Sequence, residues 1–184
     1  MKTETLVTQI QQGFVPQWLH FWGHTPSKDG NLGKNCFSQW WAGHPFVIDD
    51  ITYATAEHYM MAEKARLFGD NDTLQKILPA STPAIAKKLG REVKNFDDAR
   101  WLQNRWEIVV SGNFAKFSQH ADLRDFLLHT GDRVIVEASP FDRIWGIGMA
   151  ATDPNAENPA QWKGLNLLGF ALMEVRKQLR EKRP

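Results

Sequence analysis

Thr55-Ala56-Glu57-His58-Tyr59-Met60-Met61-Ala62-Glu63-Lys64-Ala65 is the stretch on which the fold turns. It reads as a helix with Thr55 as N-cap and Glu57 in the first turn, where a carboxylate suits the unpaired N–H groups. Glu57 and Lys64 are seven positions apart, so they share a face two turns apart, roughly 10 Å along the axis. An intrahelical ion pair needs a spacing of three or four. The wider spacing suits the two ends of one bound ligand. The plain alternative is a capping glutamate and a solvated lysine.

Working outward, Trp18–Trp22, Pro45–Ile48 and Ile51–Tyr53 read as short strands, with Asp49-Asp50 as the turn between the last two. The helix extends over Thr55–Phe68 and breaks at Gly69-Asp70-Asn71-Asp72, with a short helix expected over Thr73–Leu78. Ser81-Thr82-Pro83 reads as an N-cap with proline in the first turn, and Gly90 as the stop. Asp97 caps a long helix to about Phe117 whose apolar side includes Leu102, Trp106 and Val109 or Val110, with Gly112 as its weak point. A further helix follows around Leu123–Leu127, then a strand over Arg133–Ala138. Leu168, Leu172, Val175 and Leu179 recur at helical spacing and define a last amphipathic helix. The fold class expected is mainly α with a few short strands. Residues 1–17 read as a poorly fixed lead-in to one domain over 18–184.

The chain has 184 residues and a net charge of +1. That is enough for one sizeable core, and no global field draws it to nucleic acid or membrane. A near-neutral chain without a basic aromatic sheet pattern argues against single-stranded nucleic acid binding. Cys36 is the single cysteine, which fits a reducing cytoplasm and a structural thiol. No signal-peptide pattern opens the chain, and no apolar run reaches membrane-helix length. The basic end, Arg176, Lys177, Arg180, Lys182 and Arg183, suits a helix C-terminus better than a phosphate-binding tail.

Chemistry-bearing groups cluster in a few places. The segment Ser139–Gly164 is long, rich in Gly, Pro, Asn and Asp, and carries aromatic residues, which marks a functional loop. Trp22, Trp145 and Trp162 lie in Gly/Pro-rich stretches and offer flat faces to a base or ribose. Gly146-Ile147-Gly148-Met149-Ala150-Ala151 matches a dinucleotide fingerprint in form only, because no helix is expected after Thr152-Asp153-Pro154. Gly146 and Gly148 read instead as places where backbone approaches a ligand. Asp142 is either functional or an Asx-turn residue. His20 and His24 have a metal-like spacing without a metal motif, so no metal is expected. His24 reads as a polar ligand contact or a satisfied structural histidine. Arg91, beyond the Gly90 stop, is a natural phosphate clamp, and the Ser81-Thr82 helix start is another phosphate candidate.

Five further segments, Phe21-Trp22-Gly23-His24, Phe37-Ser38-Gln39-Trp40-Trp41, Leu89-Gly90-Arg91, Ser139 to Gly148 and Asn166-Leu167-Leu168-Gly169, complete a pattern with the Thr55–Ala65 helix. Together they resemble the NADAR (YbiA-like) family from about Phe21 to Leu179. The resemblance implies an N-glycosidase, a hydrolase of N-glycosyl bonds that needs no cofactor. The substrates implied are ribosylated amines: riboflavin-pathway ribosylamino-pyrimidine phosphates, or ADP-ribose on guanine in nucleotide or nucleic acid. No membrane and no obligate protein partner is implied. Lys64 falls at the family's lysine and is implied to form a Schiff base with the sugar. Glu57 is the first candidate for proton transfer and Asp142 the second. Trp22, His24, Phe37, Arg91, Trp145, Gly146, Gly148 and Asn166 are implied to bind substrate.

A neutral lysine amine is a nucleophile only if burial or nearby cations lower its pKa. Arg66, Lys87, Lys88 and Arg91 are the candidate neighbours. A two-carboxylate displacement through an oxocarbenium-like state is the competing mechanism. The competing function is a non-catalytic module that binds ADP-ribose or NAD in the same aromatic cleft.

Overall fold

The computed structural model describes residues 1–28 and 30–182. In chain order they form α1 (Thr3–Gln11), β1 (Trp18–Phe21), β2 (Phe46–Ile48), β3 (Ile51–Tyr53), α2 (Ala56–Leu67), α3 (Asn71–Ile77) and α4 (Pro83–Arg91). Then follow α5 (Asp98–Gln119), α6 (Ala121–Leu128), β4 (Val134–Glu137) and α7 (Leu167–Glu181), with short 3-10 turns at Lys34–Phe37 and Pro159–Gln161. The fold is mainly helical with a few short strands, as expected. Internal contacts divide the chain into a contiguous unit, Gln39–His120, and a unit built from Met1–Ser38 and the segment from Ala121 onward.

In the contiguous unit, β2 and β3 form an antiparallel hairpin in the register Phe46↔Tyr53, Val47↔Thr52, Ile48↔Ile51. Asp49 and Asp50 both have positive φ, 50° and 61°, as a two-residue turn matched to strand twist requires. The Tyr53 ring stands edge-on to Tyr59 of α2 at 5.0 Å, and Phe46 packs on both. The Gln119 side chain completes the hairpin edge by accepting from Val47 N (2.9 Å) and donating to Val47 O (2.7 Å). Helix α2 is buried on nearly every side, as a helix wrapped by others must be. It packs against α3, α4 and α5. Gly112 lets α5 come close: a Cβ there would fall 2.4 Å from Tyr59 Cδ1. The glycine that reads as a weak point is a contact surface.

The caps follow the sequence. Thr55, Thr82 and Asp97 each accept a backbone N–H in the first turn of their helices. Two boundaries move. Asp70 caps α3 by accepting Thr73 N, so the helix starts at Asn71 rather than Thr73. Helix α4 continues past Gly90 to Arg91. Leu102, expected on the apolar side of α5, is 55% exposed.

In the other unit, β1 and β4 pair in parallel, Trp18↔Val134 to Phe21↔Glu137. Helix α7 packs on β4 and α6 on α7. Arg176 of α7 is buried and donates to Thr130 Oγ1 (2.7 Å) and Arg133 O (3.0 Å). Arg180 reaches Asp132 at 2.8 Å. Burial lowers the Arg176 pKa to about 10. These two basic residues anchor α7; Arg183 lies outside the described residues. The lead-in expected to be poorly fixed forms α1 over Thr3–Gln11, because fully buried Leu6 gives it an apolar anchor and it packs on the Pro159–Gln161 turn. Among the described residues no helix is long and apolar enough to cross a membrane.

Candidate active site

Glu57 and Lys64 project from one face of α2, as their spacing requires. Glu57 is 2% exposed. Its backbone N–H donates to Gln39 O at 2.9 Å. The Gln39 side chain accepts from Asn113 Nδ2 at 2.7 Å, and Asn113 also donates to Val109 O at 2.9 Å. Gln39 thereby ties the first turn of α2 to the middle of α5.

Lys64 is half-buried, and its Nζ donates to Gly90 O at 2.8 Å, one of the last carbonyls of α4. The ammonium lies 4.2 Å from the Phe96 ring centroid and 5.8 Å from that of Trp101. Burial lowers the Lys64 pKa; Asp98 opposes that shift and Arg91 adds to it. Arg91 is thus the one named cation that acts on Lys64. Arg66 pairs with Glu63 and faces Tyr53, while Lys87 lies over Trp40. His58 is structural: Thr55 Oγ1 lies 2.8 Å from Nδ1, Ala80 O lies 2.9 Å from Nε2, and burial lowers its pKa.

The remaining candidates belong to the other unit. Asp142 takes the Asx-turn geometry, its Oδ1 accepting from Ile144 N (2.8 Å) and Trp145 N (2.7 Å). Trp145 is half-buried and tied to that turn. Trp22 is 55% exposed, its ring 6.2 Å from that of Phe141. His24 is exposed. Among the described residues no group of three or more His, Cys, Asp or Glu is placed to hold a metal.

Four of the expected substrate contacts are buried in the structure. Phe37 is fully buried between Phe21 and Phe126, both 5.5 Å away centroid to centroid, so its ring belongs to the core. Asn166 is fully buried with φ at 52°, donates to Ile135 O (3.0 Å) and accepts from Glu137 N (2.9 Å). Its amide joins β4 to the start of α7. Gly146 is buried against the Glu137 and Asp142 carbonyls, and Gly148, at φ 67°, against Lys163 and Arg143. Both glycines let chain approach chain closely.

Sequence reading also misses groups in the contiguous unit. Lys116 is fully buried, with Nζ 5.0 Å from the Phe117 ring. Its position between Ala115 and Phe117 on the apolar side of α5 is the signal available. Gln39 lies inside a quoted motif without drawing notice, and Asn113 carries no signal beyond its helical position.

The model of the NADAR domain matches residues 20–180, and the chain belongs to that family. It is 44% identical over 154 residues to N-glycosidase R617 of Acanthamoeba polyphaga mimivirus, covering 79% of this chain and 88% of that one. It is 34% identical over 138 residues to N-glycosidase YbiA of Escherichia coli, covering 75% and 78%. The NMR structure of YbiA superposes with a TM-score of 0.70 at 31% identity, covering 91% of this chain and 89% of that one. Helix α1 precedes the matched span.

Proposed function

We propose that this chain is an N-glycosidase that hydrolyses the N-glycosidic bond of ribosylated amines by way of an imine on Lys64. The observation that carries the reading is the α2 face: a lysine whose pKa burial lowers, two turns from a buried glutamate. Kinship with named N-glycosidases supports the reaction class.

In this mechanism the ribosyl group opens at C1 to an imine of the departing amine. The neutral Lys64 amine gives up its bond to Gly90 O and adds to C1. The resulting aminal expels the base amine, which leaves with a proton, and C1 remains as an imine of Lys64. Water adds to that imine, the C–N bond breaks, and the sugar leaves with the lysine regenerated. Glu57 moves the protons, with Asp142 as second candidate. Arg91 supplies a cation for a substrate phosphate, and Trp22 and Trp145 supply ring faces for the base or ribose. Fully buried Cys36 fits action in a reducing cytoplasm.

One observation favours direct displacement by two carboxylates instead. Gly90 O and the Phe96 face both stabilise the ammonium form of Lys64, which is no nucleophile.

The test of function is product analysis by mass spectrometry. Purified protein is incubated with ADP-ribosylated guanosine and, separately, with the ribosylamino-pyrimidine phosphate. Release of free base or aminopyrimidine from either identifies the substrate class. Retention of both intact, with tight binding of ADP-ribose, would replace the enzyme by a binding module.

A further inference from the structure

A cavity of about 540 Å³ opens between α1 and the segment that leads into α7. Its size lies within the range typical of small-ligand sites, roughly 300–1,000 Å³. One wall is a face of α1 that includes Thr3, Val7 and Thr8; the other holds Arg143, Trp162 and Lys163. Glu57, Lys64 and Asp142 are not among its walls.

The two cationic side chains of this cavity are rooted close together by the backbone. Arg143 Cγ and Lys163 Cβ both lie against Gly148, each 3.0–3.1 Å from where a Cβ on that glycine would sit. The stems of the two exposed side chains therefore start within about 6 Å of each other, so both cations can reach one ligand. Lys163 N donates to Ile147 O and Leu165 N to Arg143 O, both at 3.0 Å, so neither root can drift away. Neither cation has an ion-pair partner among the described residues. Two cations rooted side by side and not ion-paired to Glu4 are matched by one anion with several oxygens.

The rest of the wall suits a ring. Trp162 is half-buried, with Nε1 committed to Ala156 O at 2.8 Å and its ring 6.0 Å edge-on to Trp18. It offers a rigid indole with no donor left to satisfy. Glu4, also on the wall, is an acceptor suited to sugar hydroxyls. Helix α1 is pinned by buried Leu6 and by Thr3 Oγ1 donating to Leu165 O at 3.3 Å.

We infer that this cavity binds a nucleoside monophosphate, with its phosphate on Arg143 and Lys163 and its ring system on Trp162. The α1 wall lies ahead of residue 20, so the site includes a part of the chain outside the family's matched span.

The experiment follows the indole N–H resonance of Trp162, assigned with Trp162→Phe, while AMP, adenosine or inorganic phosphate is titrated into the full chain. AMP should shift the resonance saturably. Adenosine, lacking the anion, should bind about tenfold more weakly or worse. Arg143→Gln and Lys163→Gln should each weaken AMP by about tenfold, while Lys64→Met leaves its affinity unchanged. Lys163→Gln stands alone if Arg143→Gln unfolds. A 5′-phosphorylated oligonucleotide competing as well as AMP would make the ligand a nucleic-acid end; failure to compete makes it the free nucleotide. Inorganic phosphate binding as tightly as AMP, no saturable shift, or AMP affinity indifferent to both glutamine substitutions would each overturn the inference. The readout is binding, so it stands apart from any result on turnover.

Discussion

Replacing Lys64 separates its structural role from its chemical one. Lys64→Met keeps the apolar stem and removes the ammonium. The structure assigns that ammonium one hydrogen bond to Gly90 O and the face of Phe96. A charge-assisted hydrogen bond contributes about 1.5–3 kcal/mol, and a partly exposed cation–π contact about 0.5–1 kcal/mol. Holding the ammonium partly out of water offsets some of this, which is the same burial that lowers its pKa. A net loss of about 1–3 kcal/mol follows, or a Tm roughly 3–10 °C lower for a chain of this size. Turnover should fall much further, by about 10³-fold or more, because no other group forms the imine. Lys64→Arg should restore part of the Tm and none of the turnover, since a guanidinium stays protonated. Thermal melts read the first effect and product release the second. Borohydride added during wild-type turnover should leave a secondary amine on Lys64, located by peptide mapping. An ordinary lysine is neutral in only about 4 molecules in 10⁴ at pH 7, so the rising limb of kcat should fall below pH ~10.4. Full activity in Lys64→Arg would refute the imine at this residue. An adduct on Lys116, the fully buried lysine of the same unit, would move the chemistry to α5.

Glu57→Gln should lower kcat by about 10²–10⁴ while binding is largely kept; wild-type kcat would pass the proton role to Asp142. Trp22→Ala should raise KM about ten- to a hundredfold with little change in Tm, because the ring is 55% exposed and worth about 1–3 kcal/mol as a stacking face; unchanged KM would remove it from the site. The Asp70 carboxylate accepts N–H groups from Lys94 and Thr73, which holds its pKa at about 2. Its contribution to stability is complete above pH ~4 and lost as pH falls from there through 2, so Asp70→Asn should flatten that part of an acid-unfolding profile. Gly112→Ala adds helix propensity but drives a methyl into Tyr59, and overpacking at about 1–3 kcal/mol outweighs a gain of about 1 kcal/mol; a higher Tm would contradict the packing described.

What is local in this protein is legible in its sequence. Thr55, Thr82 and Asp97 sit where side-chain oxygens must stand before helices, and Asp49-Asp50 where two residues must take positive φ. The Glu57–Lys64 spacing survives because helix geometry alone sets it. What depends on distant partners is not legible. Phe37 and Trp22 are both aromatic residues in conspicuous motifs, yet one is sealed by Phe126 and the other faces solvent. Asn166 looks like a ligand group until Ile135 and Glu137 are seen to use both ends of its amide. Trp101 flanks Lys64, which its place in the α5 pattern does not reveal. The parallel partner of β1 has no signal near either strand, and α1 needed the pocket that receives Leu6.

The pairing of β1 with β4 has a consequence for synthesis on the ribosome. About 110 residues separate the two strands, a loop whose closure entropy grows only slowly with length but must be met before any contact rewards it. The contiguous unit can gather its hairpin and four helices from neighbours already made. During that interval β1 emerges with its hydrogen-bonding edge unpaired and Trp18, Leu19 and Phe21 in water, an invitation to associate with other chains. The vulnerable moment in this protein's life therefore falls early, between the appearance of Trp18 and that of Val134. Substitutions that slow synthesis or folding in the intervening stretch should show up as aggregation even where the finished fold tolerates them.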